Sequence, residues 1–333
     1  MLTRAHLLHR LGHGLVALAA LAAFSVAPAM AQEFPIAGKP LRIVVPFPAG
    51  GQTDVQARIL AAKLQPALGV PVLVENKPGA STILGVQEML KAPADGHTIL
   101  YTIGITAALN PHLFSKLPYD AQRDLVPIMF AARSSTVLIV PANSPFNSVR
   151  DIVNHAKANP GKLNYASFSL GSASHLVAEL LQSVSGTSMN HVPYKGSADA
   201  GVALVGGQVD FLFDGPTTAL NYAKAGRVKM LAYTDHKPYA ALGDLPNMAQ
   251  AGFPGVDVSG GMQFFGPRGI SAQTVAKINA ALAAVLRLPD VEILFTNSGS
   301  EVLASTPQEH VAAVKDQFQK FGDVIRRIGL KLD

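Results

Sequence analysis

Hydrophobic positions change period several times along this chain. Residues 41–47 form a nearly unbroken apolar run, the pattern of a strand covered on both faces. Residues 54–68 then place Val55, Ile59, Leu60 and Leu64 at helical spacing, and Gly69 follows as a stop. A strand at 72–74, a helix at 83–91 ended by Pro93, and a strand at 98–103 complete a β-α-β-α-β series, which predicts an α/β sheet. The rhythm lapses at 110–125, which reads as a connector rich in proline and polar residues. Residues 126–140 are strand-like but broken around 131–135.

Alternation then resumes. A capping box from Ser148 to Asp151 opens a helix that ends at Asn159-Pro160-Gly161. Strands follow at 163–167, 191–194, 209–213 and 228–233, with helices at 172–183 and 198–205. A glycine-rich strand segment reaches Phe265, and an alanine-rich helix covers 274–286. The last helix starts at Thr306, with Pro307 first and Glu309 completing a capping box. Its apolar stripe is Val311, Val314, Phe318, Phe321, Ile325 and Ile328. Two α/β units result, with the C-terminal helices returning to the first. The expected domains are 37–135 plus 256–333, and 136–255.

The start of the chain has a separate logic. Arg4 and Arg10 precede an apolar run at 15–26, and Ala29-Met30-Ala31 offers a small-x-small cleavage site. Residues 1–31 therefore read as a cleaved secretory signal peptide, and the run is too short for the ~20 residues of a membrane span. The chain has no cysteine, which excludes a disulfide framework, a thiolate metal site and a cysteine nucleophile. Export points to a periplasm. With 49% hydrophobic and 15% charged residues, a large core is available. The formal charge of +5 is modest for 333 residues, and the basic residues are scattered, so nucleic acid is not an expected partner.

Three predicted strand-to-helix turns share one character. They are 47–54, 77–82 and 167–175, each nearly uncharged at its tip and rich in Gly, Ser or Thr. The first turn of a helix carries free N–H groups and partial positive charge, and glycine lets a ligand approach them. Such turns suit an anion, a carboxylate above all. Ordinary turn and cap chemistry would use the same residues. His175 fits capping or packing as well as a ligand, and Asp54 can bond the amides of its own loop. Asp214 can meet a ligand or cap Thr217, and Lys195 can add charge or stay solvated. Nucleophile-elbow, P-loop, dinucleotide and zinc-protease motifs are absent, and the ten histidines lack metal-ligand spacing. No cofactor is expected. Ser172 and His175, three apart, leave a secreted hydrolase as the enzymatic alternative.

The segments LRIVVPFPAGGQTDVQAR, VENKPGA, ADGHTILY, NPHLF with LPYD, AKANPGKLNYAS, GSASHL, HVPYKGSADA and GGQVDFLFD occur in this order over most of the chain. Together they resemble the solute-binding proteins of tripartite tricarboxylate transporters, the Bug family. The resemblance implies a two-domain α/β periplasmic-binding-protein fold of type II-like form, each domain a mixed sheet flanked by helices. It implies a cleft between them that closes on an organic carboxylate, and delivery to a membrane permease by a monomeric receptor. Carried over, the ligand-binding residues are Gly50, Gly51, Asp54, Ala80, Ser81, Ser169, Gly171, Ser172, His175 and Asp214. The chain departs from the family pattern at Gln52, at 81–84 in place of a glycine-rich continuation, and at 260–264. Gln52 and Thr82 would add hydrogen-bonding capacity, and Phe47 and Phe168 would add apolar walls. A receptor that feeds a signalling partner instead of a permease is the remaining alternative.

Overall fold

The computed structural model describes residues 34–332 apart from Ser169, Lys237, Val258 and Ser259. The leader read at 1–31, and Ser169 among the site residues, therefore lie outside the described residues.

The first alternating series folds as β1 (Leu41–Val45), α1 (Gln52–Leu68), β2 (Val72–Asn76), α2 (Ile83–Leu90) and β3 (Thr98–Ile103). β1 lies between β2 and β3, parallel to both. Helix α1 lays Ala57, Leu60, Ala61 and Leu64 on the sheet, while Val55 is exposed. Gly69, at φ 68°, ends it in the left-handed conformation that glycine adopts without penalty.

The stretch read as a connector is partly helical. A π-helical turn, Ile105–Leu109, runs into the single turn α3 (Asn110–Leu113), and a second single turn, α4 (Ala121–Asp124), follows after seven residues. Segments of four or five residues are too short for a periodic signal to reveal. The Asp120 carboxylate caps α4 by accepting from the amides of Gln122 and Arg123. The strand-like stretch that follows is two strands in two sheets: β4 (Leu125–Ser134) joins the first, and β5 (Val137–Pro141) begins the second.

The second series is α5 (Val149–Ala158), β6 (Asn164–Ser167), α6 (Ala173–Ser185), β7 (Asn190–Pro193), α7 (Ser197–Val205), β8 (Phe211–Asp214), α8 (Pro216–Lys224) and β9 (Val228–Tyr233). The Ser148 hydroxyl caps α5 by accepting from the Asp151 amide, but the Asp151 carboxylate accepts from Asn147 rather than closing the box on Ser148. Strands β6, β7 and β8 are parallel, and β5 runs antiparallel to β8 and β9. The order of this sheet is β7-β6-β8-β5-β9.

The chain then returns to the first sheet with β10 (Gly260–Pro267), α9 (Ala272–Leu286), α10 (Pro289–Asn297), β11 (Ser300–Val302) and α11 (Pro307–Ile328). That sheet has the order β11-β4-β10-β3-β1-β2. Helices α8 and α10 and strand β11 had no sequence forecast. α8 and α10 have only nine residues each and open with proline, and β11 has three.

Both sheets are covered on both faces, as the unbroken apolar run of β1 indicates: Val44, Leu100 and Phe265 pack on one face of the first, and Val137, Ile139, Ala166 and Leu212 on one face of the second. Leu41, Ile43, Leu60, Leu64, Ile99, Phe264 and Leu282 belong to the first core. The core containing Leu138, Tyr165, Leu176, Phe211 and Phe213 of the second series also takes in Leu109, Leu113, Phe321, Val324 and Ile325. Helix α11 carries the full capping box at Thr306 and Glu309, as its sequence indicates. Its buried face is rotated from the apolar stripe read in the sequence. His310 and Gln317 are buried and Val311 is exposed, because Gln263 on β10 bonds both polar side chains.

Two crossing segments join the sheets, 135–136 and the stretch that follows Tyr233. Thr136 and Thr234 bond each other through amide, carbonyl and hydroxyl groups. Beside them the buried Arg133 guanidinium meets Asp235 at 2.6 Å, donates to Glu301 and to the Pro238 carbonyl (3.0 Å), and lies over the Tyr239 ring.

Candidate functional site

Parallel neighbours bring the turns together. β1 and β2 are adjacent and parallel, so the turns after them, 46–51 and 77–82, lie side by side at one edge of the first sheet. The turns after β6, β7 and β8 share one edge of the second sheet for the same reason. Asn76 ties the first pair by donating to the Phe47 carbonyl (3.1 Å) and to Asp54 Oδ1 (2.9 Å). Gly85 packs so closely on Pro46 that a Cβ there would lie 2.6 Å from it. In the second sheet Gly196 N–H donates to the Phe168 carbonyl (2.8 Å), and Ser174 Oγ to the Phe213 carbonyl (2.7 Å).

The helices that start at these edges have bare N-termini. Gly51, Gly196 and Gly215 are the N-caps of α1, α7 and α8 and offer no side-chain acceptor. Thr82 precedes α2, but its hydroxyl caps nothing. Only Ser172, before α6, accepts from an amide of its own helix, that of His175 at 3.4 Å. The helices α5, α9 and α11, which start at the opposite edges, are each capped by a hydroxyl: Ser148, Ser271 and Thr306. The amides left without caps carry the positive end of each helix dipole.

The side chains named from sequence divide into groups. Gly50, Gly51 and Gln52 are exposed and Phe47 is half-buried at the first edge. Gln52 donates to the Ser298 carbonyl (3.3 Å), and the neighbouring Gln56 to Ser298 Oγ (3.0 Å). Asp54 is buried and turns back on its own loop. It accepts from Gly50 N–H (2.8 Å), Asn76 and Arg58 (3.0 Å). The Arg58 guanidinium, with help from Gly50 and Asn76, holds this carboxyl below the usual range. Both Asp54 oxygens are thus engaged, so the charge of the loop is cancelled within it.

Ala80 and Ser81 are exposed and Thr82 is buried. All three have positive φ: 45°, 49° and 77°. The resemblance implies a glycine-rich continuation where this chain has 81–84, and here the left-handed backbone is held with side chains in place, at roughly 1–2 kcal/mol per residue. Ser81→Gly is therefore expected to raise stability by about 1 kcal/mol, read as an increase in thermal midpoint. An unchanged or lower midpoint would show that the turn carries no such strain.

On the second sheet, Gly171 is buried at φ 73°, facing Leu113 and Leu332. His175 is buried as well. Its Nδ1 accepts from Gly171 N–H (3.1 Å), its Nε2 lies 3.8 Å from Glu179, and its ring stacks on His191 with centroids 3.9 Å apart. Burial pushes both imidazoles down to about 4. Asp214, at the end of β8, accepts from Ser197 Oγ (2.9 Å) and Gly215 N–H (2.7 Å) rather than capping Thr217. Burial outweighs these bonds and pushes its carboxyl up to about 6.

The turn 297–299 reaches both sets. It receives Gln52 and Gln56 from the first edge, and its Asn297 carbonyl accepts from Thr217 Oγ1 of α8 (3.3 Å). Gly299 packs against Thr217 so tightly that a Cβ would lie 2.7 Å from its hydroxyl. Sequence reading missed this turn, and it missed Asn76, Arg58 and Ser197 as loop-fixing residues, because each acts across elements distant in the chain. Elsewhere, ligand atoms of Asp235, His236 and Asp257 lie within 4.8 Å of one another. Arg133 and Lys320 already meet the charge of those carboxylates.

Comparison with known proteins gives a consistent result. The profile of a family described as tripartite tricarboxylate transporter family receptor, TctC, matches residues 56–330. BugT of Bordetella pertussis is 32% identical over 307 residues, which cover 92% of this chain and 94% of BugT. Among solved structures, R. palustris Rpa4515 with adipate aligns at a TM-score of 0.76 and 30% identity, covering 90% of this chain and 100% of that one. MatC from Rhodopseudomonas palustris, with bound malate, aligns at 0.73 and 29% identity, covering 88% and 100%. The two-sheet α/β architecture is shared with these structures, and the chain belongs to the tripartite tricarboxylate transporter receptor family.

Proposed function

We propose that the protein is an extracytoplasmic receptor that captures a small organic carboxylate and hands it to the permease of a tripartite tricarboxylate transporter. The lobes would be 37–135 with 256–333, and 136–255, closing on the ligand from both sides. The carboxylate would be held by amides at 51–52 and 80–82 from one lobe and by the turn at 171–172 from the other; the Gly50 and Gly171 N–H groups already serve Asp54 and His175. Phe47 would supply an apolar wall, Gln52 an extra hydrogen bond, and Asp214 a contact to a ligand hydroxyl or amine, while the Thr82 hydroxyl, buried against Thr106 and Asn110, would hold the turn. Asp54 and His175 would shape the loops rather than touch the ligand.

The observation that carries this reading is the contrast in helix caps. At the edge where the candidate turns lie, α1, α2, α7 and α8 start without a side-chain cap and only α6 has one, from Ser172, while α5, α9 and α11 at the opposite edges are all capped by hydroxyls. Each amide bonded to a charged carboxylate is worth roughly 1.5–3 kcal/mol. A few such bonds, less the entropy of association, support micromolar binding, about −8 kcal/mol. The relatives with adipate and malate point to the same class of ligand.

The hydrolase alternative is disfavoured by geometry, since His175 turns its ring nitrogens to Gly171 and Glu179 instead of to Ser172 Oγ. The receptor would work in the periplasm as a monomer, without cofactor, nucleic acid or turnover. Thermal unfolding of the mature chain with a panel of mono- and dicarboxylates tests the reading. At ~100-fold excess over Kd, a true ligand should stabilise the fold by about 2.7 kcal/mol. Stabilisation by neutral sugars or metal ions alone would overturn it.

A further inference from the structure

The turn 80–82 is the most strained segment at the candidate site, and a buried polar network stands directly behind it. Asn110 Nδ2 donates to the Ser81 carbonyl at 2.6 Å and lies 3.3 Å from both Thr82 Oγ1 and Tyr119 Oη. Thr106 Oγ1 donates to Thr82 Oγ1 (2.9 Å) and pairs with Thr102 Oγ1 (2.6 Å), while Tyr119 Oη donates to the Thr106 carbonyl (2.8 Å). Asn110, Thr106 and Thr102 are fully buried, and Asn110 Oδ1 has no hydrogen-bond partner among the described residues. Burying that many polar groups is unfavourable unless they are hydrogen-bonded, and a network bonded in this way rigidifies what it holds.

What they fix follows from peptide geometry. In a trans peptide, the carbonyl of one residue and the N–H of the next point in opposite directions. The Ser81 carbonyl points inward to Asn110, so the Thr82 N–H points away from the network. The opposite peptide orientation would return Thr82 from φ 77° to the negative φ that a β-branched residue prefers. It would also turn a carbonyl oxygen outward, which repels an anion. The strained orientation persists because its carbonyl has a buried donor waiting for it.

We propose that Asn110 is a positioning residue for anion binding: it selects the orientation of the 81–82 peptide that presents an amide, and not a carbonyl, to the ligand. This rests on the carboxylate-receptor reading of the preceding subsection. It assigns a role to the asparagine of the NPHL segment, which lies 28 residues from Thr82 in the chain.

Isothermal titration of the wild-type chain and Asn110→Ala with malate, adipate, succinate and benzoate tests it. Loss of one amide–carboxylate bond should weaken binding by roughly tenfold or more. The Thr82 amide resonance should shift on ligand addition in wild type and stay in place in the variant. Adding Thr82→Gly to Asn110→Ala should recover part of the affinity, because glycine holds φ 77° without penalty. A residue that only supported the fold would give no such rescue. If the alanine variant does not fold, Asn110→Ser, too short to reach the Ser81 carbonyl, carries the same expectation. Should wild type bind one of these acids and the variant bind it equally, the role of Asn110 is refuted while the receptor reading stands. Should wild type bind none of the four, the receptor reading fails and this inference with it.

Discussion

Replacing Arg133 with methionine is expected to destabilise the protein by about 3–5 kcal/mol, the usual effect of removing one partner from a buried ion pair. The side chains of Arg133 and Asp235 are 6% and 1% exposed, and they meet at 2.6 Å. The guanidinium also serves Glu301, the Pro238 carbonyl and the Tyr239 ring. The substitution would leave a buried carboxylate without its cation in the low-dielectric junction of the two crossing segments. Arg133→Met with Asp235→Asn should recover a large part of the loss, since a neutral amide tolerates that position better than an ion. Arg133→Lys should fall between, keeping the charge but losing the fork of donors. Denaturant unfolding of the four proteins measures the series. A methionine variant within 1 kcal/mol of wild type would mean that the junction does not depend on this pair.

The second large effect is on acid stability. His175 and His191 are pushed down to about 4, and His310 to about 3, each by burial away from the usual value of 6.5. Unfolding at pH 5 therefore takes up protons at all three, and stability falls as pH drops from about 6.5 toward 4. Asp214 works in the other direction. Its carboxyl, raised from 3.8 to about 6, is protonated when folded and releases its proton on unfolding across that window. Three imidazoles against one carboxyl leave a net uptake of about two protons, or roughly 2–3 kcal/mol per pH unit before solvent screening of the half-buried His191. His112, also lowered by burial, acts in the same direction. Below pH 4, loss of the charged Asp54 and Asp124 carboxylates adds to the decline, since both titrate below the usual range in the fold. His310→Gln should flatten the slope between pH 6.5 and 4 by about one proton. An unchanged slope in that variant would show that His310 titrates normally in the folded chain.

The stacked histidines show why the candidate site was only half legible in the sequence. The turns 47–54, 77–82 and 167–175 stand out because glycine, serine and threonine cluster where a strand pattern yields to a helix pattern. Asp54 and His175 also stood out, but their chemistry depends on partners far along the chain. Asn76 and Arg58 occupy Asp54, and His191 lies against His175. A single sequence reports that a carboxylate or imidazole is present in a turn, and not which way it points. The buried polar residues of α11 are a second example. Helical periodicity favoured Val311, and the structure buries His310 because Gln263 on a distant strand offers it a hydrogen bond.

By itself the sequence determined the α/β class, the two alternating series, most helix starts and stops, and the family. These depend on local chemistry: periodicity, caps, and glycine at left-handed positions. Tertiary structure decided the assignment of β4 and β5 to different sheets, the placement of Phe321 and Ile325 in the core of the second sheet, and the direction of the Ser81 carbonyl. Those outcomes depend on contacts between residues tens to hundreds of positions apart. Burial energy and paired polar groups fix them only once the chain has closed on itself.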